Sequence, residues 1–199
     1  MINDLKKFSD GMKEAYKEFT EAGCICDVQM SNTLGGHGIK GRNDFSAVDN
    51  LGFELAVNPL GIPAKETFCY NGKNFRKYIE EAAKILSLTG ADTIWVDDDL
   101  RVELQMDSKY VCFCDNCIQK FNSENKTDYD RKKLVEETLT NIELRRKYVN
   151  FIRESLYEFV TIIAKAAHSV NPNIRLGYQS VYYTNMIGQD LNCILDAMR

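Results

Sequence analysis

The chain has 199 residues, a net charge of −4, 44% hydrophobic residues and a mean hydropathy of −0.35. That is enough for one compact domain with a real core, and the acidic balance argues against nucleic acid or an anionic membrane as the main partner. No stretch has the roughly 18 consecutive apolar residues of a membrane-spanning helix, and the N-terminus reads as an amphipathic helix rather than a secretory signal.

Residues 3–21 carry Leu5, Phe8, Met12, Ala15, Tyr16 and Phe19 at helical spacing, and Gly23 closes that helix. Residues 24–30 read as a strand, followed by a polar, glycine-rich loop containing Gly35-Gly-His-Gly38. Phe53 to Val57 reads as a short strand, an excursion within the same loop. Residues 73–88 form a helix with Phe75, Tyr78, Ile79, Ala82, Ala83 and Leu86 on one face, stopped by Gly90. Thr93 to Asp97 is the next strand, and residues 115–123 form a short helix. A long helical stretch over 131–169 breaks near Leu139–Asn141 and ends before Pro172. Residues 174–180 read as a strand and 188–198 as a last helix. Such alternation predicts an α/β domain with parallel strands and crossover helices. Both a doubly wound sheet and a (β/α)8 barrel fit. A whole barrel takes about 250 residues, so the barrel reading makes residues 1–199 a single domain holding part of a TIM barrel, a fragment of a longer chain.

Seven cysteines without an export signal predict a reducing, cytoplasmic setting in which thiolates bind metal or stay free. Cys112, Cys114 and Cys117 form a C-x-C-x-x-C cluster that can supply three ligands from one turn. Four thiolates complete a closed tetrahedral site, so the chemistry points to structural zinc. Cys69 sits just before the 73–88 helix. Loops leaving parallel strands share one face, so Cys69 could be the fourth ligand. The alternative is a set of buried or free thiols. Cys24 and Cys26, two apart in a strand, read as core residues, and Cys193 as a small apolar residue.

The strand at 93–97 runs into Asp97-Asp98-Asp99 and Arg101. Strand alternation sets Trp95, Asp97 and Asp99 on one face and Ile94, Val96 and Asp98 on the other. Crowded carboxylates raise the pKa of at least one of them, which suits a general acid near neutral pH. Trp95 offers a stacking surface for a sugar. The acids could instead be loop residues with capping or ion-pair duties. His37 and Gln179 are candidate hydroxyl contacts, and Tyr182 and Tyr183 could line a cleft. His168 reads as a helix C-terminal residue, and the Arg145-Arg-Lys147 run as a solvated helix face.

A lone cysteine opening a helix, an Ile-Trp strand ending in acids, then C-x-C-x-x-C and a short helix with Phe: over residues 67–125 this resembles the middle of family 42 glycoside hydrolases. It also resembles uncharacterised barrel hydrolases carrying Asp-Asp-Asp-x-Arg and Cys-Phe-Cys. The resemblance implies a (β/α)8 barrel acting on O-glycosidic bonds of β-galactosides, with strands three, four and five at 24–30, 92–99 and 174–180. It implies a structural zinc on Cys69, Cys112, Cys114 and Cys117. It gives Asp99, or next Asp98, as the acid, with Asp97, Arg101, Trp95, His37 and Gln179 around the sugar. The second catalytic carboxylate would lie on strand seven, outside this chain. The family also implies a trimer and a carbohydrate substrate. The strand-four motif departs from it, reading Asp-Asp-Asp where the family has Asn-Glu, so the acid is one methylene shorter and retention or inversion is left open. A catalytically inactive, zinc-stabilised carbohydrate-binding or scaffold domain is the alternative.

Overall fold

A computed structural model describes residues 2–30, 52–97, 100, 111–179 and 191–199. The order is α1 (Ile2–Glu21), β1 (Asp27–Met30), β2 (Leu55–Val57), β3 (Pro63–Phe68), α2 (Lys73–Leu86), β4 (Thr93–Val96), α3 (Asp115–Asn125), α4 (Arg131–Thr140), α5 (Ile142–Val170), β5 (Arg175–Tyr178) and α6 (Leu191–Ala197).

Helix α1 ends because Gly23 takes φ +85°, which lets Cys24 N–H reach Phe19 O at 2.9 Å and Gly23 N–H reach Thr20 O at 2.9 Å. That turn uses up Cys24, so the strand starts only at Asp27. This corrects the pairing of Cys24 with Cys26: Cys26 is buried, and Cys24 is exposed in the turn. The expected apolar stripe of α1 is also narrower than its spacing suggests. Ser9 is buried and donates to Ile85 O at the end of α2 (3.0 Å), while Phe8 and Phe19 are exposed.

Strands β1, β4 and β5 form a parallel sheet in the order β1-β4-β5. Both crossovers are long. The first contains a β2/β3 antiparallel hairpin and α2; the second contains α3, α4 and α5. The fold is mixed α/β, and among the described residues the sheet does not close on itself. One sheet face is covered by helices. Val28, Met30, Ile94 and Val96 are buried in that layer, and α2 and α5 meet through Phe75 and Phe159, stacked at 5.6 Å. Phe53 and Phe68 close the same cluster from the hairpin side, each within 5.2 Å of Phe75.

The long helical stretch breaks at Asn141, which ends α4 and starts α5. Its Oδ1 accepts from Glu143 N–H and Leu144 N–H, both at 3.1 Å. Arg145, expected to be merely solvated, also donates to the last carbonyls of α4, Thr138 O at 2.7 Å and Leu139 O at 2.6 Å. His168 is tied to Ile174 O at 3.1 Å and so pins the turn from α5 into β5.

Candidate metal centre and the open face of the sheet

Cys69 follows β3 and opens a tight turn into α2. Gly72 N–H donates to Cys69 O at 2.8 Å, and Cys69 N–H donates to Glu54 O at 2.8 Å. Glu54 also accepts from Lys73 N–H at 3.0 Å, so one residue clamps the entrance of the turn and the first turn of the helix. The second arm lies beside β2. Phe113 N–H donates to Val57 O at 2.7 Å, and Arg131 Nε donates to Phe113 O at 2.8 Å. Tyr148 from α5 donates its hydroxyl to Cys112 O at 2.8 Å and stacks on Phe113 at 4.7 Å. Cys114 is the N-cap of α3 and Cys117 lies in its first turn, so the positive end of the helix faces the sulfurs.

The two arms meet. Cys69, Cys112, Cys114 and Cys117 are all buried, and their sulfurs lie within 4.8 Å of one another. Cys69 Sγ is 3.4 Å from Cys117 Sγ and 3.3 Å from Cys114 Sγ. A disulfide would need about 2.05 Å, and all four cysteines are free. A tetrahedral ion with metal–sulfur bonds of about 2.3 Å sets its sulfurs about 3.8 Å apart, close to the spacing here. The four cysteines could therefore hold a metal ion. A four-sulfur shell leaves no open position, so such an ion would brace the two arms and would not activate water.

Crowding separates the thiols. Cys114 is held far below the ordinary thiol value by hydrogen bonds from the Cys112, Cys117 and Cys69 sulfurs, against the effect of burial. Cys69 and Cys117 are pushed up, first by their sulfur contacts with Cys112 and Cys114 and then by burial. The hydroxyls of Tyr70 and Tyr148 are raised by burial first and by the nearby cysteines second. The four sulfurs thus share a dry environment, and hydrogen-bond donors are placed against them. Asn71 N–H donates to Cys69 Sγ and Asn71 Nδ2 to Cys117 Sγ, both at 3.3 Å. Asn71 Oδ1 in turn accepts from Arg76 at 2.9 Å and from Lys120 at 3.5 Å.

On the sheet face away from the helices, Trp95 is 38% exposed while Ile94 and Val96 are fully buried, as strand alternation predicts. Its indole N–H donates to Asp27 Oδ2 at 3.0 Å, and Gln29 Nε2 donates to Gln179 Oε1 at 3.0 Å across β4. The ring lies against Gly177, where a Cβ would overlap its atoms. Asp97 stands at the carboxyl end of β4, only 8% exposed, with its N–H bonded to Met30 O at 3.3 Å. Asp98, Asp99, Arg101, His37, Tyr182 and Tyr183 lie outside the described residues.

Three groups escaped the reading of the sequence. Asp27 and Gln29 belong to the open sheet face; the alternation of β1 would have exposed them had its start been set at Asp27. Asn71, with Arg76 and Lys120 behind it, surrounds the cysteines, and only the folded structure brings those three together. Strand β3 was missed as the partner of β2. The signal was Asn58-Pro-Leu-Gly61, a turn in which Asn58 Oδ1 accepts from Leu60 N–H and Ile62 N–H, both at 2.9 Å.

No protein-family model matches the chain, and no curated protein matches it. Among solved structures it is similar to part of the alpha-L-fucosidase isoenzyme 2 from Paenibacillus thiaminolyticus, at 12% identity and a TM-score of 0.50. The likeness covers 86% of this chain and 23% of that one, and it speaks to the fold alone. Among the described residues, no helix is long and apolar enough to cross a membrane.

Proposed function

We propose that this chain is the middle part of a (β/α)8 glycoside hydrolase domain, with β1, β4 and β5 as barrel strands three, four and five. The observation that carries the reading is the parallel order β1-β4-β5, in which an acid-bearing strand tip and the cysteine centre both lie in connections leaving the carboxyl ends of the strands. That is the end where barrel enzymes build their sites. The partial likeness to an alpha-L-fucosidase is a likeness of fold, and the choice of a glycosidase rests on the residues over 67–125 that resemble family 42 glycoside hydrolases. In this reading Asp99, with Asp98 next, protonates the glycosidic oxygen of a β-galactoside-like substrate. Asp97 and Arg101 tune that acid or bind the sugar, and Trp95, His37 and Gln179 contact the sugar ring. The partner carboxylate comes from a later strand. Zinc is the ion assigned to Cys69, Cys112, Cys114 and Cys117, because an all-thiolate tetrahedral shell suits it. The working enzyme is a cytoplasmic protein, a trimer in the family it resembles, with carbohydrate as its partner and neither nucleic acid nor membrane.

The test is hydrolysis of a panel of aryl β-galactosides and α-L-fucosides by the protein carrying this chain, with Asp99→Asn and Asp98→Asn beside it. A positioned acid contributes about 10²–10⁴-fold, so one of the two variants should lose that much kcat on a substrate the wild type cleaves. Turnover that neither variant changes would remove both acids from the mechanism. Sugar binding without any turnover would favour an inactive carbohydrate-binding domain.

A further inference from the structure

We propose that Asn71 is the positioning residue of the cysteine centre, its side-chain amide donating to Cys117 Sγ and linking the sulfurs to an Arg76–Lys120–Glu158 network between α2, α3 and α5. This rests on the metal reading above and adds what governs the centre's affinity and electronic character. Asn71 is buried and touches two of the four sulfurs, through its backbone N–H and its side chain. The direction of its amide follows from its neighbours. Arg76 and Lys120 carry only donors, so the group facing them is the oxygen and the nitrogen faces sulfur.

The cations are themselves fixed. Arg76 Nε donates to Tyr70 O at 2.5 Å, and Lys120 Nζ donates to Ser155 Oγ at 3.4 Å. Both reach Glu158, at 3.1 and 2.5 Å. Glu124 also comes within 3.8 Å of Lys120, so the two cations are balanced by two carboxylates, and it is the cationic groups of that cluster that face the Asn71 oxygen. A divalent ion with four thiolates is a dianion, and a buried dianion needs donors and nearby cations. The N–H to sulfur bond withdraws electron density from Cys117, and the cations polarise the amide that makes it.

Asn71→Asp isolates this bond. It keeps an acceptor for Arg76 and Lys120 and keeps the backbone N–H to Cys69, but it turns an anionic oxygen toward Cys117. The probe is Co²⁺ bound to the whole chain, read by its thiolate-to-metal charge-transfer band, together with zinc affinity measured against a chelating dye. Loss of the donor should move the band to longer wavelength and weaken binding by about 10–100-fold, the usual effect of removing such a supporting contact. Arg76→Met, which leaves Asn71 in place, should move both readouts in the same direction by less. A residue needed only for the shape of the turn would lower thermal stability and leave the band where it was. Wild-type band and affinity in both variants overturn the inference while the metal reading stands; a wild type that binds no ion overturns both. If Asn71→Asp does not fold, an unmoved band in Arg76→Met is enough to overturn it.

Discussion

The cysteine centre, at the carboxyl end of the parallel strands, and the open face of the same sheet are built in opposite ways. The centre is dry. Its four sulfurs are buried, its backbone is clamped by Glu54, Tyr148 and Arg131, and Asn71 donates to two of its sulfurs. The sheet face is wet and polar: Trp95, Asp27, Gln29 and Gln179 are exposed and linked in pairs by single hydrogen bonds. A site that holds its arms together by closing a coordination shell has no room for a substrate. A face that presents an aromatic ring and hydrogen-bonding groups has room and little rigidity of its own. The comparison teaches that a closed, buried cluster and an open, polar face share one sheet, so a lesion in one should leave a different signature from a lesion in the other.

The largest effect should come from opening the shell. Cys117→Ser removes a fully buried ligand, and about one metal ion per chain in the wild type should fall towards none. A bound ion at a thousand times its Kd stabilises by about 4 kcal/mol, so chelator should lower the Tm of the wild type and leave the variant unchanged. A wild type without metal by elemental analysis would end the comparison.

On the other region, Gly177→Val pushes a side chain into the indole of Trp95. Overpacking of this kind costs about 1–3 kcal/mol. Trp95 is the single tryptophan of the chain, so its fluorescence reports the displacement directly. Metal content should stay at the wild-type value; its loss would show that the two regions are not separable.

Tyr148→Phe removes the hydroxyl that supports Cys112 O. A loss of about 1 kcal/mol in denaturant unfolding is expected, with metal stoichiometry intact and affinity slightly weakened.

The smallest effect concerns Glu158. Burial would raise its pKa, but the hydrogen bonds from Lys120 and Arg76 outweigh burial and bring it below the ordinary 4.5. A depressed carboxylate stabilises the fold above its unfolded value and loses that contribution as pH falls through its lower folded value. Glu158→Gln should therefore flatten the stability profile in that acidic window. Its side chain is about half exposed, so solvent screening keeps the effect below about 1 kcal/mol. An unchanged profile would mean that the two cations are held by their other contacts.

What could be read along the chain was what local physics decides. The apolar face of α2, the Gly23 stop, the Asn141 break and the C-x-C-x-x-C turn each depend on a few consecutive residues, and each stands as expected, while the stripe of α1 does not. Alternation along β4 also put Trp95 and Ile94 on their observed faces, because a pleat fixes direction residue by residue. The tertiary structure decided everything that joins distant segments. Cys69 meets the cluster because β3 and the first crossover return it to the carboxyl end of the sheet. Asn71, Lys120 and Glu158 meet because α2, α3 and α5 pack together. The β2/β3 hairpin pairs because the Asn58 turn reverses the chain. Hydrogen bonds and sulfur contacts act over about 3–4 Å, so a network spanning dozens of residues leaves no period or spacing in the sequence, and only folding writes it.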